Sequence, residues 1–404
     1  MKDFTPIILG SDINVYGMAR AIHEQYHKKS EAYGSGRLAP TKYSKIVHVT
    51  EVENFLDENI FVNYLVDLGQ RRAAENLLLI ACSDEYSKLL AKFNQELDPY
   101  FNFNAIDYNL FERLEYKTTF YEICEEYGLT YPGTKVLTAA SLPHIDQPYD
   151  FPVALKPANS IEWTHIHFEG KLKAFKIRSQ EELDDVMEKI YASGYKSEMI
   201  LQDFIPGDDS NMRVLNAYVD QNSQVRMMFL GHPLLEDPSP IAIGNYVAII
   251  PDYNEEIFAE IKSFLEKINY VGFANFDMKY DPRDGKYKLF EINLRQGRSS
   301  FFVTLNGYNL AKYLVEDLIE ATPFTETVYG RGDKLWIEIP VEIARDYIAD
   351  SPDKKLAFSF IDSGNYGGTL GYKKDNNILR RLLKHRMYQL YIKSYQKYFK
   401  ANRG

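Results

Sequence analysis

Residues 272–280 (GFANFDMKY) and 287–294 (YKLFEINL) flank Asp281-Pro282-Arg283-Asp284-Gly285, and this pattern constrains the chain more than any other. Two runs of alternating polarity around a turn containing Pro and Gly read as an antiparallel hairpin. Because side chains alternate faces along a strand, Phe290, Ile292 and Leu294 point into a core while Glu291, Asn293 and Arg295 point away. On the first strand Asn275 and Asp277 lie opposite Phe276 and Met278. Any register near the obvious one sets Asp277 beside Glu291. Two carboxylates and an amide oxygen on one face suit a hard cation such as Mg²⁺, which keeps several waters and shares substrate phosphates. Arg295, one pleat further, is placed for a phosphoryl group or an acyl phosphate. A half-exposed sheet with an ordinary polar face gives the same alternation, so the hairpin alone leaves both readings open.

A chain of 404 residues predicts two or three domains. Strand-like 4–11, 46–49 and 77–81 alternate with a helical run over 15–23 and a helix start at Ser83-Asp84-Glu85, which predicts a small parallel α/β domain over 1–110. The Gly-x-Gly-x-x-Gly fingerprint after the first strand is absent, which argues against a nicotinamide role. From Phe111 the pattern changes. A helix is expected over 112–127, ended by Gly128 and Pro132. Strands follow at 151–156, 199–203, 212–219, 225–230, 271–280 and 287–294, with a helix at 181–190. Residues 111–325 therefore read as an α+β domain with antiparallel sheets. A C-terminal extension, 326–404, opens with a strand at 335–339 and ends in a helix over 379–399 that carries Tyr388, Tyr391, Ile392, Tyr395 and Phe399 on one stripe.

Composition is that of a globular protein, with 45% hydrophobic and 26% charged residues. No apolar run approaches the ~20 residues of a membrane span or the ~7–15 of a signal-peptide core. Cys82 and Cys124 form neither a disulfide framework nor a metal spacing. A soluble, cytoplasmic chain is expected. Net charge is −10, yet from Lys373 onward ten Lys/Arg meet one acid, giving +9 against −19 for the remainder. The acidic body argues against nucleic acid as a partner. The basic helix reads either as a solvated amphipathic face or as a surface for an anionic substrate or the inner membrane leaflet.

Lys117, PVALKP (ending in Lys156-Pro157), LQDFIPG (201–207) and the FDMKY…FEINLRQG hairpin, taken in order, resemble the ATP-grasp superfamily of carboxylate–amine ligases. The resemblance covers about 111–325 and makes 1–110 the Rossmann-like domain that precedes such modules. It implies that Lys117 and Lys156 hold ATP phosphates and that Ser160 lies in the phosphate loop. By the same resemblance Gln202, Asp203, Phe204 and Ile205 line the adenine pocket, and Asp277, Glu291 and Asn293 hold Mg²⁺. Arg295 would stabilise the acyl phosphate, and Arg213 would contact substrate or phosphate. ATP and Mg²⁺ are the implied cofactors, and a homodimer is the assembly common in that superfamily.

The pattern departs from the superfamily in one place. Residues 158–169 hold no glycine, although close backbone approach to phosphate favours it. His165 and His167 read as loop residues there. More narrowly, PIILGSDINVYGMARAIHEQY (6–26) and LAPTKYSKIVHV (38–49) resemble the bacterial D-aspartate ligase group. That group implies D-aspartate and the lysine side chain of a peptidoglycan precursor, UDP-MurNAc-pentapeptide, as substrates. A ligase for another amino acid and amine, or a non-catalytic nucleotide-binding relative, shares most of these motifs.

Overall fold

The computed structural model describes residues 2–240, 242 and 244–403, with the backbone alone at 160, 161 and 400–403. Strands β1 (Thr5–Leu9), β2 (Ser30–Gly34), β3 (Val47–Glu51) and β4 (Leu77–Ala81) form a parallel sheet in the order β3-β2-β1-β4. Ile7, Ile8 and Leu9 are fully buried because helices cover both faces. The helix Ile13–Tyr26 starts where Asp12 accepts from the Asn14 and Val15 amides, each at 3.1 Å. Within this sheet the unexpected strand is β2. Its sequence, Ser-Glu-Ala-Tyr-Gly, has no apolar run, and it forms because β1 and β3 supply partners on both sides.

The second sheet has the order β5-β8-β6-β7 and is antiparallel: β5 (Thr134–Leu137), β6 (Val153–Pro157), β7 (Phe175–Ile177) and β8 (Met199–Asp203). The third has eight strands: β9 (Met212–Val219), β10 (Val225–Glu236), β11 (Tyr246–Asp252), β12 (Gly272–Asp281), β13 (Lys286–Asn293), β14 (Val328–Tyr329), β15 (Leu335–Ile337) and β16 (Tyr366–Gly367). Its path is β13-β12-β9-β10-β11-β15-β16, with β14 against β10. The last three strands come from 326–404, so that segment extends the central sheet. Strand β10 runs six residues past its expected end at 230, and β15 stops at 337 rather than 339. Strand β11 and the helix Glu255–Lys267 were not expected.

The single helix expected over 112–127 is two helices, Tyr108–Glu115 and Lys117–Tyr127. Tyr116 between them is extended, with φ −82° and ψ 120°. Neither Gly nor Pro marks that break, and the apolar spacing runs through it. At the other end Gly128 takes the expected left-handed cap at φ 70°.

The last helix spans Ile378–Arg403. Its inner stripe packs on the body: Tyr395 is buried, its hydroxyl donates to Glu236 O at 2.6 Å, and Tyr391, Ile392 and Phe399 join the same cluster. Ahead of the helix, buried Asp375 accepts from Tyr16 Oη (2.9 Å), Ser44 Oγ (2.7 Å) and the Lys45 amide (2.6 Å), and pairs with Arg380 at 3.4 Å. One carboxylate thus joins the two ends of the chain. Asp375→Ala leaves Arg380 buried without it and is expected to cost about 3 kcal/mol, read as a lower denaturation midpoint. Asp375→Asn, which keeps one acceptor, is expected to cost less.

Candidate active site

Asp277 and Glu291 are direct partners in the β12–β13 ladder, as are Asn275 and Asn293. The register then shifts so that Leu289 faces Met278, leaving Phe290 as a bulge residue. Freed from the ladder, the Phe290 carbonyl accepts from Tyr121 Oη at 2.8 Å, and its ring lies 4.8 Å below Lys156 Nζ. Lys156 comes from β6, so the bulge is where the small sheet meets the hairpin.

Lys117 opens its helix and reaches Glu291 Oε2 at 3.1 Å. That contact holds the Glu291 carboxyl far below the usual range, with Lys173 and Lys156 adding to it. Asp277 goes the other way: burial first, and then the Glu291 charge, raise it. Lys173 was not anticipated. It stands just before β7 and acts on Lys156, Asp277 and Glu291 alike. Three lysines around two carboxylates leave an excess of positive charge, which suits a polyphosphate.

The residues expected to line the adenine pocket are held from unexpected directions. Gln202 Nε2 donates to Thr134 Oγ1 at 2.9 Å. The Asp203 carboxylate takes both Arg283 nitrogens, at 3.0 and 2.6 Å, so its side chain is spent on the hairpin turn. Lys279 Nζ donates to the Ile205 and Gly207 carbonyls (2.9 and 2.8 Å) and lies 5.4 Å above the Phe204 ring. Ser160 begins the short helix Ser160–His165, but its side chain lies outside the described residues. That helix occupies the stretch read as a loop; its buried Trp163 packs on Phe168, Phe175 and Tyr195, while His165 and His167 are exposed.

Arg295 pairs with Asp84, which follows β4, at 2.8 Å and donates to Asn293 Oδ1 at 3.3 Å. The Asn293 amide nitrogen faces Asn275 Oδ1 (3.0 Å) and Asp277 Oδ2 (3.3 Å). Its oxygen is thus engaged by Arg295. Arg213 is not brought to this group. It is the ladder partner of Met278, on the opposite sheet face from Asp277, and is bound to Asp252 and to the Ser210 and Met212 carbonyls (3.0 and 2.8 Å).

Among the described residues no cluster of three or more His, Cys, Asp or Glu is placed to hold a metal. Two carboxylates fit a cation that completes its shell with water and phosphate. Asp277 Oδ1 and Arg295 Nε are buried without a hydrogen-bond partner, as is Gln296 Oε1 in the residue that follows Arg295. A cation at Asp277 and an anion at Arg295 would satisfy their unpartnered atoms.

No family model matches the chain. Solved structures share the fold: an L-amino acid ligase from Bacillus licheniformis (TM-score 0.59, 15% identity, 83% of this chain and 79% of that one) and the ADP complex of PurK, N5-carboxyaminoimidazole ribonucleotide synthetase (0.58, 16%, 82% and 80%). These likenesses show the fold that the chain shares, the ATP-grasp fold. A D-aspartate ligase of Enterococcus faecium (strain Aus0004) is 56% identical over 414 aligned positions, covering 100% of this chain and 98% of that protein. The chain belongs to the D-aspartate ligase family.

Two outcomes follow from this geometry. Burial, and then Lys117, push Lys156 down to about 8. Its ammonium charge is therefore lost as pH rises through that value, and affinity for a non-hydrolysable ATP analogue is expected to fall between about pH 7 and 9. Lys156→Arg, which stays charged, should flatten the decline. Separately, a Cβ at Gly297 would sit 2.6 Å from Asn275 Oδ1. Gly297→Ala is expected to displace the Arg295 loop and lower kcat ~100-fold, with the melting temperature little changed.

Proposed function

We propose that this enzyme joins D-aspartate through a carboxyl group to the lysine side-chain amine of a peptidoglycan precursor, consuming ATP. The Lys117–Glu291 pair beside Asp277, Lys156 and Arg295 carries the chemistry; the full-length relation to a D-aspartate ligase supplies the amino acid.

Lys117, Lys156 and Lys173 offset the triphosphate charge and orient it, with Gln202, Phe204 and Ile205 along the nucleotide's base. Asp277 and Glu291 would hold Mg²⁺, which supplies electrostatic stabilisation of the phosphoryl oxygens. A D-aspartate carboxylate oxygen attacks the γ-phosphorus, and ADP leaves. The acceptor amine then attacks the acyl carbon of the resulting acyl phosphate, loses a proton and expels inorganic phosphate. Arg295 faces the charge that develops there. Asp84 fixes its guanidinium while leaving Nε unpartnered. Neither step needs a protein nucleophile, in keeping with the buried, unpaired Cys82 and Cys124. No role in substrate contact is assigned to Arg213.

Phosphate release would be measured with D-aspartate, L-aspartate or other amino acids, each with and without UDP-MurNAc-pentapeptide. Sustained release is expected only when D-aspartate and the precursor are both present. Release with a different pair would retain the ligase chemistry and reject these substrates.

A further inference from the structure

The C-terminal helix turns apolar side chains to solvent on the face away from the body. Leu379, Leu382 and Leu390 are 47%, 62% and 59% exposed. Steps of three and four residues place them in one stripe with Arg386, Lys393 and Lys397. Ile378, at the start of the helix, is 70% exposed, and the loop beside it adds Leu38 and Tyr43, each 54% exposed. Helix and loop form one surface: Asn377 Nδ2 donates to Tyr43 O at 2.8 Å, and Arg380 to Pro40 O and Lys42 O at 3.0 Å each. The helix itself contains no Asp or Glu. Asp375, the one acid from Lys373 onward, is buried.

A protein or a lipid surface is able to cover such leucines. The fully buried core of a protein interface is depleted in lysine. Leucines interleaved with Lys and Arg, with no acid between, is the composition of a helix lying in a bilayer's headgroup region. We infer that this surface docks the protein on an anionic lipid bilayer, the leucines entering the acyl boundary and the cations meeting headgroup phosphates. The body carries −19, but the outward stripe stands about one helix diameter, ~10 Å, from it. That exceeds the screening length of about 8 Å at physiological salt. The helix therefore attracts where it touches while the body's repulsion is screened.

Flotation of the full chain with vesicles tests this inference. Capture is expected on phosphatidylcholine–phosphatidylglycerol vesicles at about 50 mM salt, falling as salt rises, and not on phosphatidylcholine alone. Arg386→Gln and Lys393→Gln should each weaken partitioning about fivefold. Leu382→Ser combined with Leu390→Ser should weaken it with charge untouched, which separates insertion from simple ion pairing. All these variants should keep their melting temperature. Absence of capture on the anionic vesicles at low salt overturns the inference, as does capture that the serine pair leaves unchanged. Concentration-dependent self-association abolished by the same serine pair would assign the surface to a second copy of the chain and overturn it equally.

Discussion

Asp277 and Glu291 repel each other across the β12–β13 ladder, and much of the structure exists to make that tolerable. Opposing side chains in such a ladder stand about 5 Å apart, a separation at which two like charges cost on the order of 3 kcal/mol with an effective dielectric near 20. Lys117, Lys156 and Lys173 answer that repulsion from three separate stretches of chain. Each has its own backbone device. Lys117 follows the extended Tyr116, Lys156 lies near the end of β6, and Lys173 stands before β7. The cations exceed the carboxylates, so the same arrangement that permits the pair suits a polyphosphate.

Long-range ties keep these pieces in place. Arg283 in the hairpin turn clamps Asp203 at the end of β8, and Lys279 holds the carbonyls of the following connector. The small sheet is thereby fastened to the large one at the connector that follows β8. Arg295 takes Asp84, which follows β4, and so ties the parallel sheet to the site. Asp375 closes the chain from the other end. The residues that hold the site together are thus charged groups distant in sequence, and the apolar cores beneath them determine only where their strands run.

The difference between what was and was not legible in the sequence follows from this division. The hairpin could be read because alternation with period two is local, and a cross-strand neighbour is implied by the turn. The order of the lysine, strand and hairpin motifs was readable for the same reason. Arg213 shows the limit. It is one residue from Val214, the ladder partner of Asp277, and a shift of one residue changes the sheet face. Its strand was foreseen, but which side chains face the site depends on pairing with β12. The break at Tyr116 carries no Gly or Pro, and β2 carries no apolar run. Lys173, Lys279, Arg283 and Asp84 have no local signal at all, since their roles come from partners up to 211 positions away.

The glycine-poor stretch after Lys156 bears most directly on how this ligase differs from a glycine-loop enzyme. A flexible glycine loop offers backbone amides to phosphate. Here the stretch is a short helix anchored by Trp163, with Lys171 Nζ donating to the Trp163 and Ile166 carbonyls at 2.6 Å each. Such a packed element has little freedom to wrap a ligand. Charge from Lys117, Lys156 and Lys173 can do without that wrapping, because an ammonium acts at a distance where an amide must touch. The buried Asp277 Oδ1, Arg295 Nε and Gln296 Oε1 remain unpaired, although folded proteins satisfy nearly all such atoms. Two of them flank Glu291, whose charge acts on Asp277 and Arg295 alike, so the polar demand that a cation and a phosphate would meet is gathered at the carboxylate the lysines hold.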